Sequence, residues 1–152
     1  MSATRILLAD DHDIVRQGLR AVLEATGECA VVGECADGLE VTGLVDRLRP
    51  SVLIVDLMLP GLSGLEVIRQ VHERFPQTRI VVLSMHASEP YVLEALRNGA
   101  AGYVLKESST ADLVQAVREV AAGRRYLSRP LSDRAISAYA ERAQGTAPLD
   151  PY

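Results

Sequence analysis

Long apolar runs are missing from this chain of 152 residues. None approaches the ~20 residues that a helix needs to cross a bilayer, so no membrane-spanning segment is expected. A signal peptide is not expected either, because Met1 to Arg5 lead into only a short apolar run. The default location is therefore cytoplasmic. An excess of positive charge is also missing: the formal charge is −4, which argues against these residues alone gripping nucleic acid. Cysteine is scarce, with Cys29 and Cys35 only. Both fall in one apolar segment that reads as a strand, about 20 Å apart along it. A disulfide needs Cα atoms within ~7 Å, so this pair does not close. The spacing matches no zinc motif, and both read as small buried or half-buried apolar residues. Internal repeats and low-complexity segments are not found.

What is present suits one domain with a real core and a short tail. Apolar runs alternate with helical periodicity five times. Strands are predicted at 4–9, 29–35, 51–56, 79–84 and 101–105, and helices at 13–26, 38–48, 63–75, 89–98 and 110–123. Val15, Leu19, Val22 and Leu23 share one face of the first helix, and Val41, Leu44, Val45 and Leu48 one face of the second. Ile68, Val71 and Phe75 do so in the third, and Leu113, Val117 and Val120 in the fifth. Ser63 with Glu66 forms a capping-box pattern, Ser109 or Thr110 can cap the fifth helix, and Gly27, Gly99 and Gly123 stand where helices should stop. Strict alternation with short loops implies a parallel sheet covered by helices on both faces. The fourth helix has the thinnest apolar face (Val92, Leu96) and is the candidate moving part.

The chemistry gathers at strand ends. Asp10 and Asp11 close the run Ile6-Leu7-Leu8-Ala9, and Asp56 closes Val52-Leu53-Ile54-Val55. The carboxyl ends of strands are where open α/β sheets bind ligands. Clustered carboxylates repel one another unless a proton or cation neutralises them, and a hard divalent ion such as Mg²⁺ suits oxygen donors. One acid of such a group can then serve as a nucleophile toward phosphorus.

Four segments resemble one known family. Ile6-Leu7-Leu8-Ala9-Asp10-Asp11-His12 is similar to the first strand and acidic pair of CheY-like response regulator receiver domains. Val55-Asp56-Leu57-Met58-Leu59-Pro60-Gly61 resembles their phosphoacceptor segment. Val82-Leu83-Ser84 matches the strand ending in Ser or Thr, and Gly102-Tyr103-Val104-Leu105-Lys106 the strand ending in lysine. Order and spacing together make the match specific where any one motif is weak. The resemblance implies a doubly wound, flavodoxin-like (βα)5 sheet in the order 2-1-3-4-5, with a receiver domain over residues 1–125.

The resemblance also implies roles. Asp56 accepts a phosphoryl group from a sensor histidine kinase. Asp11 binds Mg²⁺ (or Mn²⁺) directly, Asp10 directly or through water, and Asp56 and the Met58 backbone carbonyl complete the protein ligands. Lys106 contacts the phosphoryl oxygens, Ser84 senses the product, and Tyr103 is the rotating aromatic of the switch. The protein is then a phosphoacceptor that promotes only its own phosphorylation and dephosphorylation, not an enzyme with turnover. Outside these roles, Asp13 suits the cap of the first helix, and His12 reads as a loop residue near the acids and His72 as exposed. His86 is either exposed or a gate to Asp56.

Lys106-Glu107 in place of the Lys-Pro of many receivers, with residues 108–128, resembles the NarL/FixJ/LuxR branch. Regulators of that branch continue through a linker into a helix-turn-helix DNA-binding domain. The expectation is a linker at 126–152 with a helix at 132–143, leading to a DNA-binding domain outside this chain and to transcription regulation by the parent protein. Homodimerisation on phosphorylation is expected, through either the first and fifth helices or the face around the fourth. The alternative within this reading is a stand-alone or protein-binding receiver. Two other classes fit less well. Asp10-Asp11-His12 loosely resembles the cobalamin Asp-x-His-x-x-Gly motif, but Val15 replaces its glycine. A haloacid-dehalogenase-type phosphatase needs an aspartate at position 58, where Met58 stands.

Overall fold

The computed structural model describes residues 3–128 and residue 131. The expected helix at 132–143 lies outside the described residues. Six parallel strands form one sheet in the order β2-β1-β3-β4-β5-β6. They are β1 (Thr4–Ala9), β2 (Cys29–Cys35), β3 (Val52–Asp56), β4 (Arg79–Ser84), β5 (Gly102–Leu105) and β6 (Tyr126–Leu127). Between them run α1 (Asp13–Ala25), α2 (Val41–Leu48), α3 (Gly64–Arg74), α4 (Glu89–Asn98) and α5 (Thr110–Ala121).

The core follows from the two-residue period of the strands. Leu7, Leu53, Val55, Ile80 and Val82 point to one face, where Val41, Val45, Ile68, Val71 and Leu96 meet them from α2, α3 and α4. Ile6, Leu8, Val52, Ile54, Val81 and Val104 point to the other, against Leu23 of α1 and Leu113, Val117 and Val120 of α5. Both faces are therefore covered, which is why β3 reads as an unbroken apolar run and is buried at every residue. Both cysteines are buried as free thiols at opposite ends of β2. Burial pushes the Cys35 thiol up to about 11.

Capping agrees with the sequence: Ser63 Oγ accepts the Glu66 N–H and Ser109 Oγ the Asp112 N–H. Two features extend the expected plan. Residues Gly38–Glu40 tighten into a 3-10 turn before α2, where Gly38 donates to the Pro60 carbonyl. The order 2-1-3-4-5 also gains a sixth strand. Tyr126 donates to Ala101, Ser128 donates to Tyr103, and Leu127 and Leu131 join the core on the α4 side. The segment after residue 125 thus adds to the sheet edge.

The chain leaves β1 toward β2 on one side and returns through β3 toward β4 on the other. The carboxyl ends of β1 and β3 flank this switch point, where a crevice must form.

Candidate functional site

Asp10 follows the last residue of β1 and Asp56 is the last residue of β3. Both are buried, 3% and 4% exposed, while Asp11 is exposed at the mouth. Ligand atoms of Asp10, Asp11, His12 and Asp56 all lie within 4.8 Å of one another. Oxygen donors this close, on two buried and one open carboxylate, are the donor set of a hard divalent cation that keeps some of its waters. Asp10 Oδ2 is buried and receives no hydrogen bond; its neighbour is an ammonium. The residues present therefore fit such a cation.

That ammonium belongs to Lys106, the only lysine in the sequence. The backbone at Lys106 is set by its N–H bond to the Ser84 carbonyl. Its Nζ lies 2.8 Å from Asp56 Oδ2, as a directed hydrogen bond, and 3.0 Å from Asp10 Oδ2. Burial works against the charged form of Lys106, but the two carboxylates outweigh it and hold the ammonium above its ordinary range. Burial likewise works to raise Asp10. The His12 backbone N–H, Lys106 and the His12 ring prevail and hold its carboxyl below the usual value. One cation thus spans two of the three acids.

Asp56 Oδ1 accepts the Met58 N–H at 2.9 Å, which orients the carboxylate and turns the chain away from the strand. The turn is held at its far end by Gly64, whose N–H bonds the Leu57 carbonyl. A Cβ at position 64 would stand 2.5 Å from the Leu57 Cα, so only glycine lets α3 start this close to Asp56. Met58 itself is exposed beside the mouth.

Ser84 and Tyr103 lie on β4 and β5, neighbouring strands of the same sheet end. Both are fully buried. Ser84 Oγ accepts the His86 N–H at 2.9 Å, and the Tyr103 hydroxyl donates to the His86 carbonyl at 2.7 Å. The His86 ring stacks on Tyr91 of α4, centroids 4.5 Å apart. His86 is therefore half-buried rather than simply exposed, and it joins the two side chains to α4.

The structure brings Asp10, Asp11, Asp56 and Lys106 together and sets Ser84 and Tyr103 on the adjoining strands. Two residues do more here than the sequence indicated. His12, read as a loop residue near the acids, contacts them directly, with Nδ1 3.0 Å from Asp10 Oδ1 and 3.2 Å from Asp11 Oδ1. Its N–H also bonds Asp10 Oδ1, an Asx turn that Asp10-x-His12 foreshadows. Arg16, which lies off the apolar face of α1, donates to the Asp10 carbonyl and to Glu34 of β2 at 3.1 Å. Asp13 pairs with this arginine, and His12 occupies the cap position.

Residues 6–118 match the family described as the response regulator receiver domain. The chain is 40% identical over 149 residues to the transcriptional regulatory protein MctR of Rhizobium johnstonii, a match covering 97% of this chain and 68% of that protein. It is 39% identical over 141 residues to the oxygen regulatory protein NreC of Staphylococcus epidermidis, covering 92% of this chain and 65% of NreC. Among solved structures, a LuxR-family two-component response regulator from Aurantimonas superposes with a TM-score of 0.84 at 39% identity, covering 91% of this chain and 98% of that one.

Proposed function

The chain belongs to the response regulator receiver family, and we propose that Asp56 is its phosphoacceptor, charged by a sensor histidine kinase. The observation that supports this most directly is the Lys106–Asp56 contact of 2.8 Å at the end of the sheet's switch point. With Oδ1 tied to Met58, Asp56 presents its carboxylate in one orientation. A carboxylate oxygen attacks the phosphorus of a phosphohistidine in line. The O–P bond forms as the P–N bond breaks, and the departing imidazole takes a proton from solvent. Lys106 stays in place and gives its charge to a phosphoryl oxygen. A bound Mg²⁺ (or Mn²⁺) supplies the rest of the charge neutralisation. Asp10, Asp11, Asp56 and the Met58 carbonyl are its proposed protein ligands.

The product is read by Ser84 and Tyr103. A hydroxyl that now accepts from His86 can turn to donate to a phosphoryl oxygen, releasing one of the two bonds that hold His86. The loop and α4 then settle differently, which biases the α4–β5–α5 surface. Homodimerisation on phosphorylation would use such a surface. We assign residues 1–125 to the receiver and 126–152 to a linker whose first residues extend the sheet. The curated relatives are transcriptional and oxygen regulators about half as long again as this chain. Their names and the LuxR family of the matched structure support a parent protein with a LuxR-type DNA-binding domain under receiver control, for which we propose a cytoplasmic location. No described helix is long and apolar enough to cross a membrane.

The test is chemical. Acetyl phosphate or phosphoramidate with Mg²⁺ should add one phosphoryl group by intact mass, and Asp56→Asn should abolish the addition. Persistence of the group in Asp56→Asn sinks the assignment.

A further inference from the structure

The end of the sheet opposite the acid cluster carries a charged recess of its own. A cleft of about 740 Å³ opens where β4 and β5 begin and α3, α4 and α5 end. Arg79, Arg97, Arg124 and Arg125 wall it, with His72 beside them. Among the described residues no carboxylate lines it, and its only ring besides Pro76 is the imidazole of His72. This concentration of guanidinium groups occurs in a chain of formal charge −4.

A bland explanation covers part of it. Basic side chains commonly neutralise the carbonyl ends of helices, each worth about half a negative charge. Arg97 sits in the last turn of α4 and Arg124 follows α5. Each also has a glutamate outside the cleft, Glu94 at 3.7 Å and Glu119 at 2.6 Å. Arg79 escapes this explanation. It opens a strand rather than ending a helix, is exposed, and makes no ion pair with any described residue. Its guanidinium extends across the α5–β6 turn, Nη1 3.9 Å from where a Gly123 Cβ would be. Local acids and helix ends offset much of the charge of Arg97 and Arg124, whereas Arg79 keeps its full charge.

We infer that this cleft binds a small soluble oligophosphate, of the pyrophosphate or nucleoside di- and triphosphate class. Guanidinium forks match pairs of phosphate oxygens, and several forks around one recess suit an anion with more than one phosphate. The volume is that of a small-molecule site. Walls this polar offer little to an apolar ligand. Bound phosphate would link β4 through Arg79 to the end of α4 through Arg97 and to the approach of β6 through Arg124. It would thus brace the elements proposed to move, from the far end of strands about 20 Å long.

The experiment is an NMR titration of the full chain with tripolyphosphate, pyrophosphate and ADP, in EDTA so that no cation draws phosphate to the acid pole. Saturable shifts are expected at Gly99, Ala100, Ala101 and Gly123, with Asp56 and Lys106 unmoved and the same response in Asp56→Asn. Arg79→Gln should weaken binding about tenfold with an unchanged melting midpoint, and Arg97→Gln serves should the first variant fold poorly. Three outcomes would overturn the inference: linear shifts reproduced by sodium chloride at equal ionic strength, affinity unchanged in both arginine variants, or the same amides moved at lower concentration by duplex DNA than by tripolyphosphate.

Discussion

Tyr103 and His86 are joined by a hydrogen bond of 2.7 Å from the phenol to the backbone carbonyl. The N–H of the same histidine is bound to Ser84, so both ends of one residue are fixed by side chains from two strands. The loop between β4 and α4 is thereby pinned at His86, and α4 is reached through the stacked Tyr91.

Removing the phenol oxygen isolates that bond. Tyr103→Phe keeps the ring in its buried place and should cost about 1 kcal/mol, a net loss typical of one intramolecular hydrogen bond. Urea denaturation would read the cost, and faster amide exchange at His86 to Ser88 would show that the loop has loosened. A variant as stable as the parent, with unchanged exchange, would mean that the bond does not hold the loop.

The three carboxylates suggest a gain rather than a loss. Asp11→Asn removes a charge beside Asp10 and Asp56, so the cation-free protein should become more stable by about 0.2–1 kcal/mol, the range of exposed charge pairs. The same change should suppress the rise in melting temperature expected for the parent in Mg²⁺. Differential scanning calorimetry in EDTA and in Mg²⁺ checks both.

Losing Lys106 acts the other way. Lys106→Met leaves two buried carboxylates without their cation, and about 3 kcal/mol of stability should go in EDTA at neutral pH. The acid limb should move as well. Asp10 is held below its ordinary value in the fold, so its contribution is complete above the unfolded carboxyl range of about 4 and fades as pH falls through the lower folded value. Without Lys106 that depression shrinks, and the fading should set in at higher pH in the variant's stability profile.

Much of this pole is legible in the sequence because each part obeys a local rule. An apolar run that halts at a carboxylate marks β1 and β3, and the alternation of elements puts those strands side by side. Lys106 is read from its motif at the end of β5. Arg16 is not legible, because its helix face is polar by periodicity and only the folded loop supplies the Asp10 carbonyl it binds. The two residues of β6 have no periodicity to detect; the free edge of β5 creates that strand. The tight turn at Gly38 likewise depends on a distant partner, the Pro60 carbonyl.

Ser128 shows how firmly that unforeseen strand is attached. It is fully buried, its Oγ accepts the Leu105 N–H at 2.9 Å, and it donates to Asp112 at 2.9 Å. Ser128→Ala strands a buried N–H beside Lys106 and should cost about 2 kcal/mol. Hydrogen exchange should rise at Leu105 and Leu127 more than in β1 or β3. Uniform exchange across the sheet would show that Ser128 does not anchor β6.

The solitary lysine has a practical consequence. A protease that cuts only after lysine finds one scissile point in this polypeptide, at the end of β5, where the side chain is 14% exposed and clasped by two acids. Cleavage there requires that end of the molecule to come apart, so the digestion half-life is a clock for its local opening, unblurred by cuts elsewhere.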